Sequence, residues 1–197
     1  MSPSAVIGNK KLALFDLDGT LFDTNEVNYN AYKEALANFG FNFDHAFWYS
    51  NCIGRHYKDF LADIDITDEK ILKDIHRLKK NCYRNYLHYA KENRHLFEII
   101  TLIKPRYYIA LVTTASRQNV ADILNTFNRA DAFDKIFTQE DVAKMKPDPE
   151  CYLKAMDYFK IKPEDTIIFE DSDSGLKAAE ASGAFYCKVF RLNGKNQ

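Results

Sequence analysis

A short apolar run that ends in two aspartates constrains this chain more than any other segment. Residues 12–15 are long enough for one buried strand, and Asp16, Asp18 and Gly19 follow it directly. Alternate residues of a strand share a face, so the two carboxylates leave the sheet together at its carboxyl edge. Two desolvated carboxylates repel each other, which is unfavourable for folding. The arrangement therefore indicates a bound cation or a chemical reaction.

Length and charge narrow the classes of protein to which this chain belongs. Its 197 residues are enough for one domain, or for one domain that carries a smaller insert. The 27 Lys and Arg nearly balance the 28 Asp and Glu, and no basic block alternates with aromatic residues, so nucleic acid is not an expected partner. The longest apolar runs are only strand-sized, so we expect no membrane span and no membrane partner.

The first residues and the cysteines bear on the cellular compartment. Residues 1–4 lack the basic segment and the long apolar segment of a secretory signal, so we expect a cytoplasmic protein. The four cysteines are scattered along the chain and form no Cys-x-x-Cys pair. Reduced cysteines are the expectation for that compartment, and two disulfides are the alternative.

Short apolar runs alternate with helix-like segments through the second half of the chain. After residues 12–15, strand-like runs occupy Tyr107–Val112, 135–138, 166–169 and 184–190, and helix-like segments occupy 118–127, 149–159 and 174–182. Most of these runs are short, apolar and bounded by polar residues, which is typical of strands buried on both faces. Their alternation predicts an α/β fold, with a Rossmann-like parallel sheet and helices on both of its faces.

The stretch between the first and second strands has a different pattern. Residues 25–95 contain no convincing strand, and Val27, Ala31 and Ala35 recur at helical spacing. A second amphipathic helix is expected to start at Asp68. The pattern predicts an all-helical insert, and a helical subdomain that only covers the edge of the sheet is the alternative.

Three later segments carry polar residues where strands end or a helix begins. The second strand runs into Thr113, whose hydroxyl suits a phosphoryl oxygen, and Thr114 is the neighbouring candidate if the register differs by one. Lys146 stands among prolines, which restrict the backbone and hold the root of the side chain in place. The fourth strand ends in Glu170 and Asp171. We expect the residues that follow strands to lie near Asp16, because the carboxyl ends of parallel strands meet at one edge of a sheet.

The predicted site carries an excess of negative charge. Four carboxylates, those of Asp16, Asp18, Glu170 and Asp171, face the single ammonium of Lys146. Such a site requires a hard divalent cation, and all-oxygen ligands favour Mg²⁺ over zinc or copper. Mg²⁺ is therefore the expected cofactor.

These segments resemble the four motifs of the haloacid dehalogenase-like (HAD) superfamily. Residues 16–24, Asp-Leu-Asp-Gly-Thr-Leu-Phe-Asp-Thr, resemble motif I, and Thr113 stands in the position of motif II. Lys146 in Lys-Pro-Asp-Pro resembles motif III, and Glu170 and Asp171 in Glu-Asp-Ser-Asp-Ser-Gly resemble motif IV. The chain is similar to the phosphatase type with a small helical cap, which includes phosphoglycolate phosphatases and β-phosphoglucomutase-like members.

The resemblance implies a division of the chain into two parts. Residues 1–24 and 96–197 would form the Rossmann-like core domain, and residues 25–95 would form the helical cap. Within the cap, residues 52–55 resemble a loop that reaches the site, so Arg55 is a candidate for substrate binding. A surface arginine at a helix start is the alternative for that residue.

The resemblance also implies a chemical role for each core residue. Phosphoryl transfer would pass through an aspartyl-phosphate on Asp16, the nucleophile. Asp18 would protonate the leaving oxygen and then deprotonate the hydrolytic water. Thr113 and Lys146 would stabilise the equatorial phosphoryl oxygens, with Thr114 as a further contact.

The metal ligands follow from the same resemblance. Mg²⁺ would bind the Asp16 carboxylate, the backbone carbonyl of Asp18 and the Asp171 carboxylate. Glu170 would be a further ligand or would lie behind the direct ligands. The retained second aspartate, Asp18, favours phosphate esters over haloacids, because a halide leaving group needs no acid.

The expected activity is therefore hydrolysis of a small phosphorylated metabolite. A phosphomutase is the runner-up, although Asn28 stands where a cap histidine of sugar phosphomutases aligns. A catalytically idle binding module is the third alternative, and such modules usually lose an acidic or lysine motif residue that this chain retains.

Overall fold

The computed structural model describes residues 10–190, in which strands and helices alternate as follows. The strands are β1 Lys11–Phe15, β2 Phe22–Asp23, β3 Lys91–Glu92, β4 Tyr107–Val112, β5 Lys135–Phe137, β6 Thr166–Glu170 and β7 Phe185–Lys188. The α-helices are α1 Asn25–Ala37, α2 His45–Phe47, α3 Tyr57–Ala62, α4 Glu69–Cys82, α5 Arg94–Ile103, α6 Arg117–Thr126, α7 Glu150–Phe159 and α8 Asp173–Ala181. A π-helical turn, Trp48–Cys52, and a 3₁₀ segment, Tyr83–Tyr89, continue α2 and α4.

A parallel five-stranded sheet forms the centre of the molecule, in the order β5-β4-β1-β6-β7. The central strand β1 pairs with β4 and β6, so that Leu14 lies between Ala110 and Ile168. Because all five strands run the same way, their carboxyl ends meet at one edge. The α/β fold predicted from the alternating pattern is confirmed, and this edge collects the polar residues that follow the strands.

Alternate residues of β1 face two separate layers of helices. Leu12 and Leu14 pack with residues of α7 and α8, among them Tyr152 and Ala178. Ala13 and Phe15 pack on the opposite face with residues of α5 and α6. The sheet is therefore covered on both sides, as the apolar character of its strands predicts.

The last strand departs from that expectation. The sequence predicts a buried strand over residues 184–190, but β7 spans Phe185–Lys188 and all four side chains are exposed. The expected burial on both faces is wrong here, because β7 is an edge strand that has a neighbour only in β6. Apolar composition alone does not distinguish an edge strand from a central one.

The segment between β2 and β3 is helical and packs around aromatic side chains. Tyr32, Phe43, Trp48 and Phe60 are buried together in a separate cluster. The helix start expected at Asp68 is confirmed, since its Oδ1 accepts hydrogen bonds from the amides of residues 70 and 71 at 2.9 Å each.

A two-stranded ribbon closes this helical segment. Phe22 pairs with Glu92 and Asp23 with Lys91, in antiparallel register. The expectation of no strand between residues 25 and 95 therefore misses β3. Two residues carry too little hydrophobic periodicity to predict a strand, and the pairing joins positions about 70 residues apart in sequence. Arg129, in the loop that follows α6, ties the ribbon to the core by donating from Nε to Glu92 Oε1 at 2.5 Å.

Two further features of residues 10–190 concern the cysteines and the apolar character of the helices. Every cysteine is free, and Cys52, Cys82 and Cys151 are buried whereas Cys187 is exposed. None of the helices in this range combines the length and the apolar character needed to cross a membrane.

Substitution of a central strand residue tests the core. Leu14→Ala removes a side chain that is fully buried between the sheet and α7, and the cavity is expected to lower the free energy of unfolding by about 3 kcal/mol. Leu102→Ala on α5 is the control, because Leu102 is 78% exposed and should change stability by less than about 0.5 kcal/mol. Urea denaturation measures both, and equal losses would contradict this description of the core.

Candidate active site

The chain turns sharply at the end of β1. The amide of Asp16 still donates to the carbonyl of Phe169 on β6, at 3.0 Å. Directly afterwards, the carbonyl of Leu17 accepts hydrogen bonds from Leu21 and Phe22, and Gly19 adopts a positive φ of 91°. The turn leaves the Asp16 side chain buried at the sheet edge and Asp18 half-buried beside it.

Lys146 lies between the ends of β1 and β6. Its Nζ donates to Asp16 Oδ1 and to Glu170 Oε2, both at 2.7 Å, and to the carbonyl of Val112 at 3.2 Å. The lysine side chain is only 4% exposed, so these charge-assisted bonds are shielded from water. A residue from the loop before α7 thus joins three strands of the sheet.

Burial and charge oppose each other in the protonation of these groups. Burial, and then the charge of Glu170, raise the pKa of Asp16 well above its usual range, against the effect of Lys146. Burial also acts to raise the pKa of Glu170, but its ion pair with Lys146 and its hydrogen bonds hold that pKa below the ordinary value. Burial acts to lower the pKa of Lys146, yet nearby Asp16, Tyr152 and Glu170 raise it.

The remaining charge imbalance fits a metal ion. Carboxylate oxygens of Asp16, Glu170 and Asp171 lie within 4.8 Å of one another, and all three residues are buried. One lysine neutralises only part of this charge, and an all-oxygen set suits a hard divalent cation. Thr20 Oγ1 donates to Asp171 Oδ1 at 3.2 Å, which helps to orient the third acid. These residues fit a divalent cation.

The side chain of Asp18 is held apart from this cluster. Thr24 Oγ1 donates to Asp18 Oδ1 through a short hydrogen bond. Asn28 Nδ2 in turn donates to Thr24 Oγ1 at 3.1 Å and to the Thr24 carbonyl at 3.0 Å. Helix α1 therefore orients Asp18, and Asn28 stabilises the threonine that does so.

Motif II residues lie next to this centre. Thr113 is buried, and its Oγ1 accepts a hydrogen bond from the Ala115 amide at 3.0 Å. Its chain neighbour Val112 supplies the carbonyl that accepts from Lys146. Thr114, Ala115 and residue 116 line the open cleft. The structure thus places Thr113 and Thr114 beside the other predicted residues, and their roles stay predictions.

A cleft of about 910 Å³ extends from Asp16 and Asp18 toward the helical segment. Arg55 lies on its wall, half exposed, where it donates to Asp63 Oδ2 at 2.6 Å and to the carbonyl of Asn51 at 2.7 Å. Arg55 therefore lies on the cleft while its charge is paired within the helical segment, and its role in substrate binding stays a prediction.

Lys79 is a cleft residue that motif reasoning missed. It is buried on α4 with its Nζ 5.3 Å and 5.0 Å from the ring centroids of Tyr32 and Tyr83. Within residues 10–190 the structure gives this ammonium no ion-pair partner. Burial lowers the pKa of Lys79 to about 8, although the charge of Asp18 opposes that shift. The sequence signal that could have identified Lys79 is its position four residues after Ile75, which places a lysine on the apolar face of α4.

Sequence comparison agrees with this geometry. The family model of haloacid dehalogenase-like hydrolases matches residues 13–189, which include every motif residue of the site. The chain belongs to this family. It is a hydrolase of the HAD superfamily, with the acids and the lysine of its motifs at one edge of the sheet.

Individual relatives cover most of the chain. It is 29% identical over 189 residues to a phosphorylated carbohydrates phosphatase of Thermotoga maritima, covering 91% of this chain and 86% of the relative. It is 30% identical over 185 residues to the pyrophosphatase PpaX of Bacillus mycoides, covering 86% and 79%. The crystal structure of CbbY from Rhodobacter sphaeroides in complex with phosphate has a TM-score of 0.82 and 25% identity, covering 95% and 89%.

The close approach of Gly19 to Asp171 gives a test of whether the buried acidic cluster of this HAD protein binds a divalent cation. A Cβ at Gly19 would lie 2.2 Å from Asp171 Oδ2, so Gly19→Ala must displace that acid. We expect the dissociation constant for Mg²⁺, measured by isothermal titration calorimetry, to rise about tenfold or more.

Gly40→Ala is the matched control for this experiment. Gly40 also has a positive φ, 79°, so its alanine variant carries similar backbone strain, but no atom lies within 4 Å of the added Cβ. It should keep the wild-type Mg²⁺ affinity. An unchanged affinity in Gly19→Ala would contradict the placement of the metal at Asp171.

Proposed function

We propose that this chain is a Mg²⁺-dependent phosphatase that hydrolyses a small phosphate monoester through an aspartyl-phosphate. The observation that carries the proposal is the pairing of two differently held aspartates at the end of β1. Asp16 is buried against Lys146, whereas Asp18 is half-buried on the cleft and bound by Thr24. One aspartate thus suits nucleophilic attack and the other suits proton transfer.

The proposed reaction has two steps. An Asp16 oxygen attacks phosphorus, and the bond to the ester oxygen breaks as Asp18 gives that oxygen a proton. Asp18, now ionised, then accepts a proton from water, which attacks the aspartyl-phosphate and releases inorganic phosphate. Thr24 and Asn28 keep Asp18 in position for both proton transfers.

Other residues balance the charge that develops on the phosphoryl group. Lys146 holds the nucleophile, and the hydroxyl of Thr113 and amides near Asp18 donate to the equatorial oxygens. A bound Mg²⁺ ion, held by Asp16, the Asp18 carbonyl and Asp171, would supply further neutralisation of that charge. Without a cation, the surplus of carboxylates would repel a phosphate.

The proposed substrate is a small phosphorylated metabolite that enters between two domains. Residues 1–24 and 96–197 form the proposed core, and residues 25–95 form the proposed cap. Both line the cleft, whose volume of about 910 Å³ suits a metabolite. The relatives named for phosphorylated carbohydrates and pyrophosphate support this substrate class.

The phosphomutase alternative is less favoured by the cap. At the position where sugar phosphomutases carry a histidine, Asn28 offers no titratable group and is engaged with Thr24. A mutase would return the phosphoryl group to the sugar, whereas a phosphatase releases one inorganic phosphate for each ester cleaved. Measurement of phosphate release from a panel of sugar phosphates separates the two.

A nucleophile variant tests the proposed chemistry. Asp16→Asn should lower the turnover of p-nitrophenyl phosphate with MgCl₂ by about a thousandfold or more, because the amide is a poor nucleophile. Circular dichroism should remain that of the wild type. Asp173→Asn is the matched control, since Asp173 lies within the motif IV segment but its side chain is 89% exposed, and its turnover should be unchanged.

Two results would contradict the proposal. One is appreciable turnover by Asp16→Asn, which would remove this residue as the nucleophile. The other is inactivity of the folded, Mg²⁺-binding wild type toward a broad panel of phosphate esters. EDTA should abolish wild-type turnover, and addition of MgCl₂ should restore it.

The ammonium of Lys79, which has no ion-pair partner among residues 10–190, predicts a preference for substrates with a second anionic group beside the transferred phosphoryl group. Lys79→Met should raise KM for inorganic pyrophosphate about tenfold and leave KM for p-nitrophenyl phosphate nearly unchanged, because only pyrophosphate carries a second anionic group beyond the phosphoryl group that is transferred. Lys80→Met, on the same helix and at the same cleft, is the comparison and should have a smaller effect.

The pH dependence of KM for pyrophosphate is a second test of the role of Lys79. With its pKa lowered to about 8, Lys79 is charged below pH 8 and loses its proton as the pH rises through that value. Wild-type KM for pyrophosphate should therefore rise above pH 8, and this rise should be absent in Lys79→Met. An equal rise of KM for both substrates in Lys79→Met would contradict the assignment.

A further inference from the structure

The carboxylate of Glu170 accepts five hydrogen bonds. Oε1 accepts from the amides of Asp171 and Ser172 at 3.1 and 3.0 Å and from the Ser172 hydroxyl at 2.8 Å. Oε2 accepts from Lys146 Nζ at 2.7 Å and from the Tyr152 hydroxyl at 2.8 Å. A carboxylate offers about four lone-pair sites, so these donors use its full capacity. Glu170 is therefore engaged on both oxygens by the protein itself.

The space around Glu170 is closed as well as polar. The residue is fully buried, and a Cβ at Gly175 of α8 would lie 2.0 Å from its carboxyl carbon. The backbone of α8 therefore packs directly against the acid. Such close packing leaves the side chain little room to turn toward a metal.

Tyr152 reaches this acid from α7. Its side chain is fully buried, and its ring centroid lies 5.0 Å from Lys146 Nζ. Burial raises the pKa of the Tyr152 phenol well above its ordinary value, so the hydroxyl keeps its proton and acts as a donor.

Packing explains the ring of Tyr152 but not its hydroxyl. The ring contributes to the apolar cluster with Leu12, Leu14 and Ile168, where phenylalanine would fill the same space. The phenolic oxygen is instead directed at Glu170 Oε2, the same atom that binds Lys146. The hydroxyl therefore contacts the Glu170–Lys146 ion pair, which lies against Asp16.

We infer that Tyr152 is a positioning residue for the phosphoryl transfer. Its hydroxyl fixes Oε2 of Glu170, and Glu170 in turn holds Lys146 Nζ at 2.7 Å from Asp16 Oδ1. Glu170 serves as the anchor of Lys146, and the metal is held by Asp16 and Asp171 without it. The inference rests on the proposed function, which gives Lys146 its task at Asp16.

The substitution Tyr152→Phe tests the hydroxyl while it keeps the ring. Because Lys146 would be held less firmly in the transition state, kcat for p-nitrophenyl phosphate should fall about tenfold, with KM changed by less than about twofold. Tyr158→Phe is the matched control on the same helix, since Tyr158 is 55% exposed, and its kcat should equal that of the wild type.

The Mg²⁺ affinities of three variants distinguish residues that position Lys146 from residues that bind the metal. Isothermal titration with MgCl₂ alone should give Tyr152→Phe the wild-type dissociation constant within about twofold, and Glu170→Gln a constant raised by less than about threefold. Asp171→Asn should raise the constant more than about tenfold. These titrations do not depend on turnover. If Tyr152→Phe folds poorly, the comparison of Glu170→Gln with Asp171→Asn still tests the inference.

Three results would overturn the inference. The first is a kcat of Tyr152→Phe equal to that of the wild type. The second is a loss of Mg²⁺ affinity in Tyr152→Phe that matches its loss of kcat. The third is an affinity loss in Glu170→Gln as large as that in Asp171→Asn. Failure of the proposed function has a different signature, namely a folded wild type that binds Mg²⁺ and releases no phosphate.

Discussion

The buried ammonium of Lys146 is the interaction on which the rest of the site depends. It touches Asp16 at the end of β1, Glu170 at the end of β6 and the carbonyl at the end of β4. Without it, two desolvated carboxylates would face each other with no compensating charge, which is strongly unfavourable. The lysine therefore permits the parallel strands to end in acids at a single edge.

The acids around Lys146 differ because their surroundings differ. Glu170 is enclosed by Tyr152, Ser172 and the backbone of α8, and it stays ionised within the protein. Asp16 is buried with fewer compensating bonds, so burial raises its pKa. Asp18 lies on a turn and is bound by Thr24 of motif I. One sheet edge thus holds the proposed anchor of Lys146, the proposed nucleophile and the proposed proton donor.

The fold could be predicted from sequence where hydrophobic pattern and turn residues are strong. The central strands are short continuous apolar runs, the long helix α4 has a clear helical period, and Asp68 has the chemistry of a helix cap. The two-residue strands β2 and β3 are too short to carry a period, because their pairing depends on where the helical segment returns to the sheet. Exposure of β7 follows from its edge position, which local composition does not encode.

The sequence by itself determined the identity and order of the groups to which the proposed chemistry is assigned. Asp16, Asp18, Lys146 and Asp171 stand in local motifs, since each must follow a strand or precede a helix in fixed register. The tertiary structure alone decided which side chains support them, as it brought Tyr152 to Glu170 and Lys79 to the cleft. Those two residues lie inside ordinary amphipathic helices, where local spacing specifies the buried face of the helix. What a buried polar group contacts depends on the packing of elements that are distant in sequence.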